Sequence, residues 1–345
     1  NWATNKIIID SNGLNYQSRA DTWTVEYSTD GLSLAITYMN ATQGWVPTID
    51  EAVTDAPVKG NQEGIFGFGE TSVNVGMTNL VSNAGVVATD VSAVGTVKRT
   101  LGACEYGGDK GIFGFGKDDS AVTATTNLVS NTGVVGTDVT GVGTARETLA
   151  ACSYGEDKGI FGFGKNGSTY SMTNLVSNSG VVATDVTGVG TARYYLGACE
   201  YGGDKGIFGF GKNAAGGNVG MTNLVSNVGV VATDVSAVGT ARAYVGGCGY
   251  GYDKGIFGYG HISSSTAVTN LVSNTGVVGT DVTGVGTARY GVGSTQYGGD
   301  KGIFAFGNVP ALTAVSNLVS NAGVVSTDVT GVGTARAYLG ACSFN

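Results

Sequence analysis

Few residues in this chain could carry out chemistry, and their spacing brings none of them together. There is 1 histidine among 345 residues, His261, and it falls in a single loop between two predicted strands. Nucleophilic catalysis of the Ser–His–Asp or Cys–His type needs a histidine beside a nucleophile and an orienting group. No such pattern surrounds His261, so we interpret it as a solvated loop residue and expect no catalytic residues.

The 5 cysteines occupy one equivalent position, nine residues after a glycine, namely Cys104, Cys152, Cys199, Cys248 and Cys342. A zinc site needs clustered CxxC or His spacing, which is absent here. Equivalent positions in separate repeats rarely come within disulfide distance. The pattern therefore predicts small buried strand residues, with neither a metal nor a disulfide.

Charged residues also recur singly. Each "YGxDKG" phrase places one aspartate beside one lysine, whereas a calcium site needs several converging oxygens. Strings such as Gly141–Gly143 do not open a helix after a strand, so they do not predict a phosphate-binding loop. We interpret the Asp–Lys pairs as turn caps and salt bridges. The basic residue before each repeat, Arg193 for example, is expected to bond carbonyls or carboxylates of the Asp138 type between repeats. No cofactor is predicted.

The elements that position these residues are repeats. The "GIFGFG" phrase recurs every 47 to 49 residues, with its isoleucine at Ile65, Ile112, Ile160, Ile207, Ile256 and Ile303. A second phrase, "TNLVSNAGVVATD" in the first copy, follows each time and ends at Asp90, Asp138, Asp185, Asp234, Asp281 and Asp328. Six units with such a period are typical of a β-propeller or a solenoid.

Each unit predicts four short antiparallel strands. In the third unit these are "TLAACSY", "KGIFGFG", "MTNLVS" and "VVATDV". Only the first glycine of the first turn, Gly155 here, is constant between copies, so we assign the positive φ to it. No segment has helical periodicity, and four strands per unit describe a propeller blade.

The two ends of the array favour a closed ring over a solenoid. The first unit has no "LGAC" strand before "EGIFGFG", while the chain ends on "AYLGACSFN". We predict that Tyr338–Phe344 pairs beside Gly64–Phe68 and closes the ring, because closure removes exposed sheet edges. A solenoid instead needs atypical capping repeats. The expected fold is all-β, a six-bladed propeller of four-stranded blades over residues 58–345.

Residues 1–57 form a different region. It contains all 3 tryptophans, Trp2, Trp23 and Trp45. Alternating segments predict strands, with a turn at Asp30-Gly31. The region is short for an independent core, so we expect a small β domain or arm that packs on the ring or on a partner chain, including another copy.

Composition limits the partners. The net charge of −8 disfavours nucleic acid and anionic membrane surfaces. No apolar run approaches the ~20 residues of a membrane span. No signal-peptide pattern stands at the start, and since Asn1 is not a natural start we expect sequence upstream.

The copies differ mainly in the loop between the second and third strands and in the residue pair before "LGAC". Unequal loops on a uniform scaffold are typical of a binding surface, although drift in unconstrained loops is the alternative. Tyrosines can stack on sugar rings through their apolar faces. Our candidate binding residues are Tyr170, Tyr194, Tyr195, Tyr252 and His261.

The unit resembles a kelch repeat. Arg193, "LGACEY", "GGD", "KGIFGFG" and "VVATD" follow one another in the kelch order. The unit departs from kelch in two ways, because a phenylalanine interrupts the glycine doublet and no tryptophan stands near the end of the unit. Some kelch propellers hold redox metals through several histidines, whereas this chain has 1 histidine.

The array "DKGIFGFG…TNLVSNTGVVGTDVTGVGTAR" is similar to repeats of tailed-bacteriophage virion proteins, such as fibre or appendage proteins. That resemblance implies a non-enzymatic virion protein that attaches to other virion proteins through residues 1–57, with a host-surface glycan as the expected ligand and a homo-oligomer as a further expectation. The alternative is a secreted carbohydrate-binding propeller outside any virion. Both imply a location on the particle or outside the cell.

Overall fold

A computed structural model describes residues 7–19, 25–27, 34–49, 61–92, 94–236 and 238–345. The chain divides into two compact units, Asn1–Lys59 and Gly60–Asn345, whereas the predicted boundary falls after residue 57. Throughout the described ranges the fold is all-β, built of small antiparallel sheets without helices. In those ranges no helix is long and apolar enough to cross a membrane.

In its described residues, the N-terminal unit contains two antiparallel strand pairs. Ile7–Ile9 pairs with Val25–Tyr27, and Ala35–Asn40 pairs with Gly44–Ile49. The predicted turn at Asp30-Gly31 lies outside the described residues, as do Trp2 and Trp23.

The second unit contains six three-stranded sheets, which we number 1 to 6 by their central strand. The central strands are Glu63–Gly67, Lys110–Gly114, Lys158–Gly162, Lys205–Gly209, Lys254–Gly258 and Lys301–Ala305. In the same order of sheets, the first strands are Gly340–Phe344, Gly102–Tyr106, Ala150–Tyr154, Gly197–Tyr201, Gly246–Tyr250 and Gly293–Tyr297. The third strands are Thr78–Val81, Thr126–Val129, Thr173–Val176, Thr222–Val225, Thr269–Val272 and Ser316–Val319.

Three further pairs of two-residue strands lie between these elements. They are Lys165–Asn166 with Ser168–Thr169, Arg193–Tyr194 with Lys212–Asn213, and Asn308–Val309 with Ala311–Leu312.

The C-terminal strand belongs to the first sheet. Gly340–Phe344 pairs antiparallel with Glu63–Gly67, and Cys342 lies opposite Ile65. The predicted pairing of the last strand with the first repeat is therefore confirmed. The same strand also packs against Gly293–Tyr297 of sheet 6 and Gly102–Tyr106 of sheet 2.

The prediction of a fourth regular strand is wrong. The "VVGTDV" segment of the second repeat pairs with the third strand only through isolated bridges, Val135 with Val129 and Val139 with Thr126. The two bridges enclose one more residue on the fourth segment than on the third strand, which is the signature of a β-bulge. The Asn127 amide donates to the Gly136 carbonyl at 3.1 Å, so a side chain replaces a backbone ladder bond there.

The turn between the first and second strands also differs from the prediction. Both of its first two residues have positive φ, not only the constant glycine. In two repeats the second of these residues carries a side chain, with φ of 70° at Glu156 and 69° at Tyr252. A non-glycine residue in this region is strained, so the pairing of the flanking strands determines the turn in every repeat.

The glycines of the central strand make room for the neighbouring sheets. A Cβ on Gly162 would lie 2.7 Å from the Phe208 ring of the next sheet. A Cβ on Gly159 would lie 2.5 Å from the Cys104 sulfur of the preceding sheet. Each sheet thus inserts a phenylalanine one way and a cysteine the other way, except that sheet 6 has Thr295 in place of the cysteine, which explains why the whole phrase recurs.

All five cysteines are free and buried, which confirms the predicted burial. Burial raises the pKa of each thiol, to about 12 for Cys248. These thiols are therefore protonated packing groups rather than nucleophiles.

The basic residue before each first strand is fully buried. Arg146 donates from Nε to the Phe163 carbonyl at 2.7 Å and from Nη2 to Asn174 Oδ1 at 2.7 Å. Burial lowers its pKa to about 10, so it stays charged. These partners belong to its own repeat. The predicted carbonyl and carboxylate partners are therefore present, since Arg146 Nη1 also lies 3.9 Å from Asp185 Oδ1, but they lie within one repeat and not between repeats. Between repeats, the guanidinium lies 4.4 Å from the Phe115 ring centroid.

The predicted Asp–Lys salt bridges are confirmed. In each of the five complete "DKG" phrases the lysine Nζ lies in ion-pair contact with the preceding aspartate, the pairs being Asp109–Lys110, Asp157–Lys158, Asp204–Lys205, Asp253–Lys254 and Asp300–Lys301. Their side chains are partly exposed, so each pair contributes little to stability.

Candidate ligand-binding mouth

Six equivalent residues stand two positions before the first strands, and their backbones bond to one another. They are Thr100, Thr148, Tyr195, Tyr244, Gly291 and Tyr338. The N–H of each donates to the carbonyl of its counterpart in the preceding repeat, and the Thr100 N–H donates to the Tyr338 carbonyl at 2.8 Å. All six have φ between 52° and 64°. Five of them are not glycine, so the hydrogen bonds hold strained backbone in place.

These residues surround one end of a cavity of about 140 Å³. Each of the six repeats contributes four consecutive residues to the lining, Thr100–Ala103 in the second sheet for example. We call this end the mouth. It consists of the six residues above, the residue that precedes each of them, and the loop residue with which that preceding residue pairs.

The two regions that vary between repeats meet at the mouth. Each residue that precedes the six forms an isolated bridge or short ladder with the first residue of the following loop. The pairs are Arg99–Lys117, Glu147–Lys165, Tyr194–Lys212, Ala243–His261, Tyr290–Asn308 and Ala337–Glu70. Residues that are separate variable positions in the sequence therefore form one continuous surface.

One half of the mouth is aromatic. The Tyr195 and Tyr244 rings stack with centroids 3.8 Å apart. Tyr290 lies 5.4 Å from Tyr244, and Tyr338 lies 6.0 Å from it. All four residues are half-buried, so each is partly accessible to solvent.

His261 and Tyr194 extend this aromatic half outward. The imidazole lies 5.4 Å from the Tyr290 ring, and the Tyr194 ring lies 5.3 Å from Tyr195. Aromatic rings that are held in place by their neighbours lose little conformational entropy when they bind a ligand.

The opposite half is polar. Glu70 forms a salt bridge with Arg99. The Thr100 hydroxyl donates to Glu147 Oε2 at 3.0 Å. Thr148 occupies the same position in its repeat as Tyr195 does in the next repeat. This half therefore has an ion pair and a hydroxyl–carboxylate hydrogen bond where the other half has rings, and the Thr148 hydroxyl is buried, where it donates to the Glu147 carbonyl.

The phenols of Tyr195 and Tyr338 are neutral near pH 7. Burial, together with the neighbouring Tyr244 and the Glu147 carboxylate, raises the pKa of Tyr195. Burial and the phenols of Tyr290 and Tyr244 raise the pKa of Tyr338. Both hydroxyls keep their protons, and each is hydrogen-bonded to a neighbouring phenol, Tyr195 to Tyr244 and Tyr338 to Tyr290.

The structure brings three of the five predicted residues together, namely Tyr194, Tyr195 and His261. Tyr170 lies in the adjoining loop, where its N–H donates to the Gly164 carbonyl at 2.8 Å. Tyr252 lies in the turn after Gly246–Tyr250, at the end of that strand remote from the mouth.

Sequence reasoning missed three aromatic residues of the mouth, Tyr244, Tyr290 and Tyr338. A signal for them was present, because Tyr244 and Tyr338 occupy the same repeat position as Tyr195 and Tyr290 the same position as Tyr194. Only the contact between neighbouring repeats shows that this position forms a cluster.

The remote end of the first strands forms a smaller cavity of about 40 Å³. Ser343 Oγ donates to Glu105, and Gln296 Nε2 donates to Glu200 Oε2 at 3.3 Å. Burial and the neighbouring Glu200 raise the pKa of Glu105 well above its usual value. Two carboxyls in one confined space thus oppose each other's ionisation.

In the described part of the chain, no three His, Cys, Asp or Glu residues lie together in a way that could hold a metal ion. No protein-family model matches the sequence. A search of the curated proteins also found no match.

Proposed function

We propose that Gly60–Asn345 is a closed, six-bladed, kelch-like β-propeller whose blades are the six sheets. Two observations support closure. The C-terminal strand pairs with the first repeat, and the hydrogen bonds of the mouth lead from repeat to repeat and return to Thr100. A closed array leaves no terminal blade that needs a cap.

The propeller, in this proposal, binds carbohydrate at its mouth and catalyses no reaction. The observation that carries the proposal is that the positions that vary between near-identical repeats converge on a preassembled tyrosine cluster. Tyrosine faces stack on the apolar faces of sugar rings, and their hydroxyls bond sugar hydroxyls. A rigid platform suits this task because little side-chain freedom is lost on binding.

The biological setting is proposed from the resemblance of the repeats to tailed-phage virion proteins. The propeller would be displayed on the particle, outside the cell, and residues 1–57 would attach it to other virion proteins or to another copy. Its ligand would be a host-surface glycan. Mass spectrometry that finds the chain in purified particles supports this setting, whereas glycan binding by a chain absent from particles supports a secreted lectin.

Carbohydrate binding is tested on a glycan array with the full chain and two variants. Tyr290→Ala removes one aromatic ring of the mouth. Tyr290 has no positive φ, so alanine fits its backbone, and the variant should bind glycan at least tenfold more weakly. Tyr252→Gly is the matched control, since three repeats have glycine at that turn position, and it should bind like the parent. Equal loss in both variants, or no binding by the parent, would overturn the proposal. If the glycans have a lower mass after incubation with the chain, the proposal that the chain catalyses no reaction is refuted.

A further inference from the structure

Two lysines lie against the aromatic half of the mouth. Lys165 Nζ is 4.6 Å from the Tyr194 ring centroid and 5.6 Å from that of Tyr195. Lys212 Nζ is 5.8 Å from the Tyr244 ring centroid. Each lysine begins the loop of one repeat and extends over a tyrosine of the next, so the cations line the aromatic surface.

These two ammonium groups differ from the lysines of the "DKG" turns. Every turn lysine pairs with the aspartate beside it, as Lys158 does with Asp157 at 2.6 Å. Within the described ranges, no carboxylate oxygen lies within the 4.0 Å of a salt bridge from Lys165 or Lys212.

The carboxylates of the mouth have other partners and form no salt bridge with either lysine. Glu70 pairs with Arg99, and Glu147 accepts the Thr100 hydroxyl. Glu147 stands directly opposite Lys165 in the backbone pairing, but its Oε2 lies toward Thr100 and not toward the lysine. The positive charge beside the tyrosines is therefore available to a ligand.

We infer that the mouth selects sugars that carry a carboxylate, such as uronic or sialic acid residues. The inference rests on the proposed glycan binding. The sugar ring stacks on the tyrosines, and its carboxylate pairs with the ammonium group of Lys165 or Lys212. A chain of net charge −8 repels an acidic polysaccharide at long range. Cations at the mouth are therefore needed to make the local electrostatic interaction attractive.

The test uses an array of four acidic polysaccharides (polygalacturonate, alginate, hyaluronan and polysialic acid) and four neutral ones (dextran, mannan, galactan and glucan). The full chain is compared with the double variant Lys165→Gln/Lys212→Gln. The double variant Lys158→Gln/Lys205→Gln is the control, because it makes the same change in net charge in turns remote from the mouth.

We expect the parent to bind at least one acidic polysaccharide, with an affinity that falls as salt is raised. The Lys165→Gln/Lys212→Gln variant should lose roughly tenfold in affinity, equivalent to about 1.4 kcal/mol, and most of the salt dependence. The control variant should retain both. Binding to neutral polysaccharides alone, or equal loss in both variants, would overturn the inference and leave the proposed function in place. An array without any binding would overturn both.

Discussion

The two halves of the mouth share one backbone and differ in their side chains. Tyr244 in the aromatic half and Thr148 in the polar half have the same φ of 59° and the same inter-repeat hydrogen bond of 2.8 Å. One position nevertheless carries a stacked ring and the other a hydroxyl. The scaffold therefore fixes where a side chain stands, and the residue type alone decides which chemistry it presents.

The uniformity of the scaffold follows from interlocking contacts. Five of the six sheets insert a phenylalanine over a central-strand glycine of one neighbour, and five insert a cysteine over a glycine of the other, while sheet 6 has Thr295 in place of the cysteine. One substitution in such an interface strains two sheets, so the repeats remain alike where they pack. The mouth lies at the end of the first strands, where this restriction stops.

The largest expected effect is a loss of stability when a larger side chain replaces a glycine at which two sheets interlock. The loss should be equal beneath the aromatic and the polar half of the mouth. Gly209→Val, against Phe257 beneath the aromatic half, and Gly114→Val, against Phe161 beneath the polar half, should each destabilise the chain by about 3 kcal/mol through overpacking. Chemical denaturation measures this. Gly209→Ala should cost less, because sheet 6 accommodates Ala305 at the equivalent position. A large difference between the two valine variants would show that the halves do not share one framework.

The next effect should separate the halves. Tyr244→Gly should lower glycan affinity at least tenfold, because it removes the ring that contacts Tyr195, Tyr290 and Tyr338. Thr148→Gly should leave affinity unchanged. Both variants relieve the same positive φ, and Gly291 shows that the ring of hydrogen bonds accepts glycine. Titration calorimetry checks the result, and equal losses would remove the functional distinction between the halves.

A smaller effect is expected from converting the polar half. Glu147→Tyr/Thr148→Tyr copies the Tyr194-Tyr195 pair of the next repeat, and it should extend the platform and raise glycan affinity about threefold. Glu147→Gln/Thr148→Ser is the control of similar polarity. Unchanged affinity for the tyrosine variant, measured on the same glycan, would mean that ring number does not limit binding.

The smallest effect concerns the stability of the fold and the smaller cavity at the remote end of the first strands. The pKa of Glu105 is higher in the folded state than in the unfolded state. As the pH rises from the unfolded-state pKa to the folded-state pKa, ionisation of this carboxyl therefore destabilises the fold. Glu105→Gln should therefore gain about 1 kcal/mol, or roughly 2 °C in Tm, at pH 8. The gain should vanish near pH 3, where the Glu105 carboxyl is neutral in both the folded and the unfolded state. Thermal unfolding at the two pH values measures it, and a gain independent of pH would contradict an electrostatic cause.

The local pattern of the repeats was predictable because strands and turns follow from short-range rules. Alternation around "KGIFGFG" indicates a central strand, and the missing first strand of the opening repeat predicts its pairing with Gly340–Phe344. The fourth segment was less predictable. Its valines have high strand propensity, yet Asn127 supplies a side-chain bond in place of the ladder and a bulge results.

The sequence by itself determined the repeat, its strand pairs and the positions that vary, because these depend on neighbours along the chain. Only the tertiary structure decided that the variable positions meet, that Tyr195 stacks on Tyr244, and that Tyr252 lies elsewhere. The reason is that these contacts join residues from different repeats, and packing between sheets sets their distances rather than spacing along the chain.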